Sequence, residues 1–455
     1  MLVMKFGGTS VESEKAIAGV TEIVHSFERR RPIVIVSAMG QTTNKLLQAA
    51  REAADGRRDQ ALAIVDQLRG YHLTHGLALA GPASAELDRY IRAHFEWLDE
   101  LVKGLAVVGE LSLRSMDAIA SLGERLSSLI VAFALRAAGI STQHMDARRV
   151  ILTDDRFTQA QPLLEETYRL LRENVRPAAE TSVIVMGGFI GATADGHTTT
   201  LGRGGSDYSA SIVGAGVDAE EIQIWTDVDG MLTADPRIMP GGHRVKSISF
   251  SEAAELAYFG AKVLHPATVL PAVEKNIPVS ILNSRRPDIT GTRITSETVP
   301  CRNAVKSISC KRNITILNIR STRMLMAHGF LRRIFELFDR YSTSVDMVST
   351  SEVSVSLTVD NPENLPLICE ELKQFAELSV EEDQAIVCLV GENIRHTPGI
   401  AGRAFQVLQH TNIRMISQGA SLLNLGFVIA SADLVSAVSA LHNEFFAELD
   451  PAVFD

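Results

Sequence analysis

Cysteine is scarce in this 455-residue chain: Cys301, Cys310, Cys369 and Cys388 are the only four, all late in the sequence and without CxxC spacing. That count excludes a disulfide scaffold and a cysteine-rich zinc site, and it makes a reducing cytoplasm the expected setting. Positive charge is in deficit, with 44 Lys and Arg against 54 Asp and Glu for a net charge of −10. The imbalance argues against a protein that spreads over nucleic acid or anionic lipid, because both attract positive charge. No run approaches the roughly 20 apolar residues of a membrane helix. The Val183–Ala192 run is short and holds three glycines. The N-terminus enters Met4–Lys5–Phe6–Gly7–Gly8 directly, so no signal peptide is expected. Nucleotide signatures of the familiar kinds are missing as well. There is no GxxxxGK[ST] segment, the protein-kinase catalytic loop is absent, and Gly214–Ala215–Gly216 lacks the third glycine of a dinucleotide fingerprint.

What is present is an ordinary globular composition, 46% apolar and 22% charged. At roughly 150 residues per domain, the length suggests about three domains. Short, mostly β-branched runs at Leu2–Phe6, Ile33–Ser37, Val183–Met186, Ile222–Thr226 and Val279–Leu282 predict buried strands. Helical stripes lie between them, one formed by Ile17, Val20, Val24 and Phe27, another by Leu126, Leu129, Ile130 and Phe133. Ser10 offers an N-cap for the first helix. Buried strands alternating with helices predict an α/β fold, a mostly parallel sheet covered on both faces. Residues 51–113 lack strand-like runs and read as a helical insertion. The last third contains a repeat at an offset of 70 residues: Ile316 matches Ile386, Gly329 matches Gly399, Phe335 matches Phe405, and Val345 matches Met415. The alternating Val353, Val355, Leu357 and Val359 match Leu423, Leu425, Phe427 and Ile429. Each copy reads as the start of a ferredoxin-like α+β unit. The expected domains are 1–290, 307–378 and 379–455, with a strand from 303–312 available to the last; Pro287–Arg302 reads as linker.

Several segments carry chemistry. Lys5–Phe6–Gly7–Gly8–Thr9–Ser10 closes a strand ahead of a helix, where glycines admit a ligand and free N–H groups favour a phosphate. A tight turn with a surface lysine fits the same residues. Leu201–Gly202–Arg203–Gly204–Gly205–Ser206–Asp207–Tyr208 is a loop with little bulk of its own. Its guanidinium suits a carboxylate, although Arg203 and Asp207 at i,i+4 also fit a local ion pair. Trp225–Gly230 and Asp235–Pro236–Arg237 offer carboxylates and a phosphate-directed arginine, yet Asp-Gly and Asp-Pro are also common in turns. Gly260–Pro266 supplies a further lysine, Lys262.

Taken together and in this order, these segments resemble the aspartate kinases of the amino-acid kinase family. The resemblance also rests on Ser37–Asn44, Ser121–Glu124, Gly187–Phe189, Thr199–Tyr208 and Ser349–Val355, and it runs through essentially the whole chain. It implies a three-layer kinase domain followed by two ACT domains. The implied reaction is ATP-dependent phosphorylation of the aspartate side chain to 4-phosphoaspartate, the entry to lysine, threonine and methionine. It implies catalytic roles for Lys5 and Asp207, and aspartate contacts from Thr43, Glu124, Arg203 and Ser206. The implied ATP contacts are Lys5, Gly7, Gly8, Ser10, Thr226, Asp227, Leu232, Arg237 and Lys262, with Mg²⁺ accompanying ATP. Leu232 stands where the family commonly has an aromatic residue. A lysine effector is implied at the first repeat, through Met324, Gly329, Phe330, Leu331, Val345, Asp346, Ser351 and Glu352. The second repeat has Ile416 and Leu422 in place of the two acids. The resemblance also implies a homodimer or larger homo-oligomer joined through the ACT domains. A related kinase with another acceptor, or an amino-acid sensor with an inactive kinase half, are the alternative readings.

Overall fold

The computed structural model describes residues 1–260, 266–297, 299–321 and 329–455. They form two compact units, Met1–Met231 with Leu264–Ser296, and Leu232–Val263 with Glu297–Asp455.

The first unit is built on a sheet of β1 (Leu2–Phe6), β2 (Pro32–Val36), β3 (Thr142–His144), β4 (Val183–Gly187), β7 (Glu221–Thr226), β9 (Val279–Asn283) and β10 (Thr292–Thr295). Their order is β3-β4-β2-β1-β7-β9-β10, parallel throughout except at β9–β10. A short hairpin of β5 (Ile190–Ala192) and β6 (Thr198–Thr200) stands apart from it. Every residue of β1, β2, β4 and β9 is buried, as strands covered on both faces require. Alternation along β1 then decides where its lysine goes. Leu2, Met4 and Phe6 enter one apolar cluster with Val34, Val36, Val185 and the helices beside them. Lys5 therefore faces the opposite side.

The helices of this unit begin with α1 (Glu14–Ser26). Ser13, not Ser10, caps it by accepting the Ala16 N–H. Ser10 instead ends a single tight turn at Gly8–Ser10, so the segment after β1 is a loop and the helix starts later than the sequence suggested. The predicted insertion at 51–113 is helical as expected, holding α3 (Arg58–Leu77) and α4 (Ser84–Val108), and the helix leading into it, α2 (Thr42–Ala54), begins earlier. Next come α5 (Leu113–Ala120), α6 (Leu122–Ala137), α7 (Leu164–Leu170), α8 (Arg176–Ala179), α9 (Gly205–Val217) and α11 (Leu270–Glu274). Together α5 and α6 form a 25-residue stretch long and apolar enough to cross a membrane, unlike the sequence expectation, and 89% of its most apolar window is buried here.

The second unit contains β8 (Ser247–Ser249), α10 (Phe250–Tyr258), α12 (Phe330–Arg340), α13 (Leu365–Leu372), α14 (Ile400–Val407) and α15 (Leu434–Phe445). Its sheet of β11 (Ser307–Arg320), β12 (Val348–Thr350), β13 (Ser354–Val359), β14 (Glu377–Val390), β15 (Met415–Gln418) and β16 (Asn424–Ala430) is antiparallel, in the order β12-β13-β11-β14-β16-β15. The 70-residue repeat is visible in its parts. Gly329 and Gly399 both take left-handed φ, +81° and +86°, directly before α12 and α14. A side chain at either position would strain that turn. Strand β11 pairs with β14 in two stretches, Ser307–Lys311 against Ile386–Val390 and Ile316–Arg320 against Glu377–Glu381, with an irregularity at Ile314 between them. Residues 232–263 fall inside the expected 1–290 range yet pack with this unit. Ala234 bridges Ile308, and the Ile308 N–H donates to the Thr233 carbonyl. The fully buried Lys306 ammonium pairs with Glu252 on α10 at 3.0 Å, while Glu252 also closes a capping box with Ser249.

Candidate active site

The lysine that β1 turns away from its apolar cluster meets α9. Lys5 Nζ lies 2.7 Å from Asp207 Oδ1, and both side chains are largely buried. Asp207 sits in the first turn of α9, where free N–H groups favour a negative charge. Gly204 precedes that helix with φ +71°, a conformation that keeps the loop free of bulk at the turn. The local Arg203–Asp207 ion pair does not form; Arg203 is exposed on the loop, and among the described residues no carboxylate pairs with it.

Lys5 and Asp207 line a cavity of about 270 Å³ together with Thr43, Glu124, Ser206, Ser37, Phe189 and the loop glycines. Thr43 comes from the first turn of α2 and Glu124 from that of α6. Glu124 is only 4% exposed. Its Oε1 accepts the Ala38 N–H at 3.1 Å, while Oε2 is buried without a partner. Burial pushes the Glu124 carboxyl up to about 8. A buried carboxylate with one satisfied oxygen and one orphan is a ready acceptor for an ammonium group. Ser37 and Phe189 received no role from the sequence, although both lie in its motifs. Phe189 carries a left-handed φ of +65°, which no sequence pattern announces.

The remaining nucleotide residues are less concentrated. Gly7 and Gly8 follow Lys5, and the Gly7 N–H donates to the Trp225 carbonyl at 3.0 Å. Ser10 shares a hydrogen bond with Ser284 at 2.8 Å and lines a separate cavity of about 730 Å³. Thr226 ends β7 and donates to the exposed Asp227. Leu232, half-buried in the second unit, offers its carbonyl to the Ser307 hydroxyl. Arg237 is gripped by Asp235 at 2.6 and 3.0 Å, and that pairing holds the Asp235 carboxyl below its ordinary range. Lys262 lies outside the described residues. Among the described residues no group of three or more His, Cys, Asp or Glu gathers to hold a metal.

In the second unit, Met324 lies outside the described residues. Gly329 and Phe330 form the α12 turn, with Leu331 exposed beside them and Val345 half-buried. Ser351 closes a turn onto Ser354, and Glu352 is exposed. Asp346, an expected lysine contact, is withdrawn from solvent. Its Oδ1 takes Lys311 Nζ at 2.6 Å, and its Oδ2 is buried without a partner. Burial raises its carboxyl, against the opposing pull of Lys311.

Comparison with known proteins decides among the readings. The amino acid kinase family matches residues 1–283, and an ACT domain matches residues 387–445. Lysine-sensitive aspartokinase 3 of Escherichia coli is 36% identical over 98% of this chain and 99% of its own length. The chain belongs to the aspartokinase family. Chloroplastic aspartokinase 1 of Arabidopsis thaliana is 39% identical over 98% of this chain and 80% of its own length. Among solved aspartokinase structures, E. coli aspartokinase III with aspartate and ADP superposes with a TM-score of 0.85 at 36% identity, covering 98% of this chain and all of that one. The same enzyme with lysine and aspartate gives 0.84, over 98% and 99% of the two chains.

Proposed function

We propose that the chain transfers the γ-phosphoryl group of ATP to the side-chain carboxylate of L-aspartate, giving 4-phospho-L-aspartate and ADP, under feedback by lysine. The observation that carries the reading is the orphan oxygen of Glu124 in the cavity that also holds the Lys5–Asp207 pair. It gives an amino-acid ammonium a fixed place. The acceptor carboxylate, which ordinarily titrates near pH ~3.9, is already ionised, so no general base is needed. Catalysis is then alignment of two anions and neutralisation of charge on the transferring group. Lys5 supplies that charge, and Asp207 holds the lysine against the first turn of α9. Thr43 on α2 and Ser206 on α9 offer hydroxyls to aspartate, and Arg203, exposed between the lining glycines Gly202 and Gly204, would swing in to take its α-carboxylate. Gly7, Gly8, Thr226 and Asp227 border the phosphates and ribose. Arg237, the expected phosphate-directed arginine of the second unit, would have to exchange Asp235 for a phosphate. The Mg²⁺ that accompanies ATP would neutralise phosphate charge, and would be held largely by phosphate oxygens and water.

Lysine acts at the first repeat, its ammonium competing for Asp346 and its carboxylate meeting the N–H groups of the turn at Gly329–Leu331. The unpartnered Asp346 Oδ2 supports this assignment. The second repeat offers exposed Ile416 and Leu422 at the matching positions. The chain works as a dimer or larger homo-oligomer through these repeats, in the cytoplasm, a setting that suits its four free cysteines. The test is to incubate the chain with Mg–ATP and aspartate, glutamate or acetylglutamate and to trap acyl phosphate with hydroxylamine. Hydroxamate with aspartate, suppressed by lysine, supports the reading; product with another acceptor alone, or none at all, overturns it.

A further inference from the structure

A further, cationic cavity of about 350 Å³ is lined by His94, Trp97, Ala118, Arg125, Arg148 and Thr198. Arg125 follows Glu124 in the chain, so consecutive side chains of one helix serve two different cavities. Arg148 is neutralised locally, with its guanidinium on Asp146 at 2.5 to 3.1 Å and on the Thr198 hydroxyl at 3.2 Å. Thr198 accepts in that bond and keeps its own proton to donate. Arg125 has no such partner: among the described residues no carboxylate pairs with it. Its guanidinium donates from Nη2 to His94 Nε2 at 3.1 Å. The His94 ring is fixed as an acceptor there, because its Nδ1 must carry the proton given to the Tyr90 carbonyl at 2.8 Å. Burial lowers the His94 pKa, which keeps that ring neutral. The histidine therefore orients the guanidinium without cancelling its charge. A half-buried guanidinium with no carboxylate in direct contact, attracted by Asp146 only at longer range and repelled by Arg148, is costly and is also set up for an anion with two oxygens to offer.

We propose that this cavity binds a small organic oxyanion, a carboxylate or phosphate, gripped by Arg125 and Thr198 with its apolar part against Trp97. The planar fork of Arg125 matches two oxygens of either group. The indole of Trp97, 43% exposed, and the Ala118 methyl supply an apolar wall. The volume is at the lower end of small-molecule sites, which fits a ligand of about ten heavy atoms. The proposal is independent of the kinase reading, since no residue is shared between the two cavities.

The experiment is calorimetric titration of the full chain with inorganic phosphate and, separately, with benzoate at constant ionic strength, with Trp97 fluorescence as a second signal. Saturable binding of either anion is expected, the tighter of the two naming the ligand class. It should weaken about 10- to 100-fold in Arg125→Gln, less in Arg125→Lys, and stay unchanged in Lys5→Gln. Trp97→Phe should remove the fluorescence response and keep the binding heat; both arginine variants are to be compared at matched melting behaviour. Binding lost in Lys5→Gln and kept in Arg125→Gln would place the anion in the kinase cavity and overturn the proposal. So would the absence of saturable binding of both anions.

Discussion

Replacing Glu124 by Gln separates the ligand-binding role of that side chain from its cost to the fold. In the folded protein, burial moves this carboxyl from an ordinary 4.5 to about 8. Such a displacement corresponds to about 5 kcal/mol between folded and unfolded states when the group is ionised. The sign follows from proton binding. Between these two values the folded protein retains a proton that the unfolded chain has released, so Glu124 costs nothing at acid pH. Stability then falls as pH rises, and the penalty is complete above about pH 8. Gln keeps an acceptor for the Ala38 N–H and carries no charge. The melting temperature of the wild type minus that of Glu124→Gln should therefore drop steadily from about pH 5 to about pH 9. Aspartate reverses the effect, because its ammonium pairs with the ionised carboxylate. Binding near neutral pH should thus release close to one proton, read as a dependence of calorimetric heat on the buffer's ionisation enthalpy. Without the carboxylate, a charge-assisted hydrogen bond of about 1.5–3 kcal/mol disappears, and the KM for aspartate should rise about 10- to 100-fold. A melting difference that is flat with pH, together with buffer-independent binding heat, would refute the reasoning.

Lys5→Met should lower kcat by about 10²- to 10³-fold in steady-state assays, as loss of one charge-stabilising donor does. Lys306→Met leaves Glu252 buried and uncompensated, and should cost about 3–5 kcal/mol in denaturant unfolding; adding Glu252→Leu should restore most of the loss. Asp346→Asn should raise the lysine concentration for half-inhibition at least tenfold with the aspartate KM unchanged, and undiminished inhibition would remove Asp346 from the effector site. Gly204→Ala, at φ +71°, should destabilise by about 1–2 kcal/mol and lower activity through the displaced loop.

Five strands of the first unit were legible because each is a short apolar run, and Leu2–Phe6 coincides with β1, whereas β3, β6 and β10 are rich in Thr and gave no such signal. The repeat was legible because its glycines and alternating strands recur at one offset. The first helix start was misplaced for a local reason: Ser10 and Ser13 are equally good capping residues, and only the tight turn at Gly8–Ser10 separates them. The site was legible as residue types in motifs, and its electrostatics were not. Lys5 and Asp207 stand about 200 positions apart in the chain, and no pattern in either segment says that they form a pair. The same applies to Lys311 on Asp346, and to the unpaired charge of Arg125 beside a neutral histidine. Whether a buried charge is satisfied depends on which elements the fold brings together.

Strand β11 and its neighbour β14 are each 14 residues long and run through both copies of the C-terminal repeat. One end of β11 completes one copy, and the other end completes the next. The copies are therefore not interchangeable cartridges. A chimera that exchanged one 70-residue copy for that of a relative would join two foreign half-strands and have to rebuild five paired positions at Ser307–Lys311. Grafting feedback sensitivity from one such chain to another calls for moving the duplicated segment whole. Substitutions that tune the response of one copy should be sought away from the two shared strands.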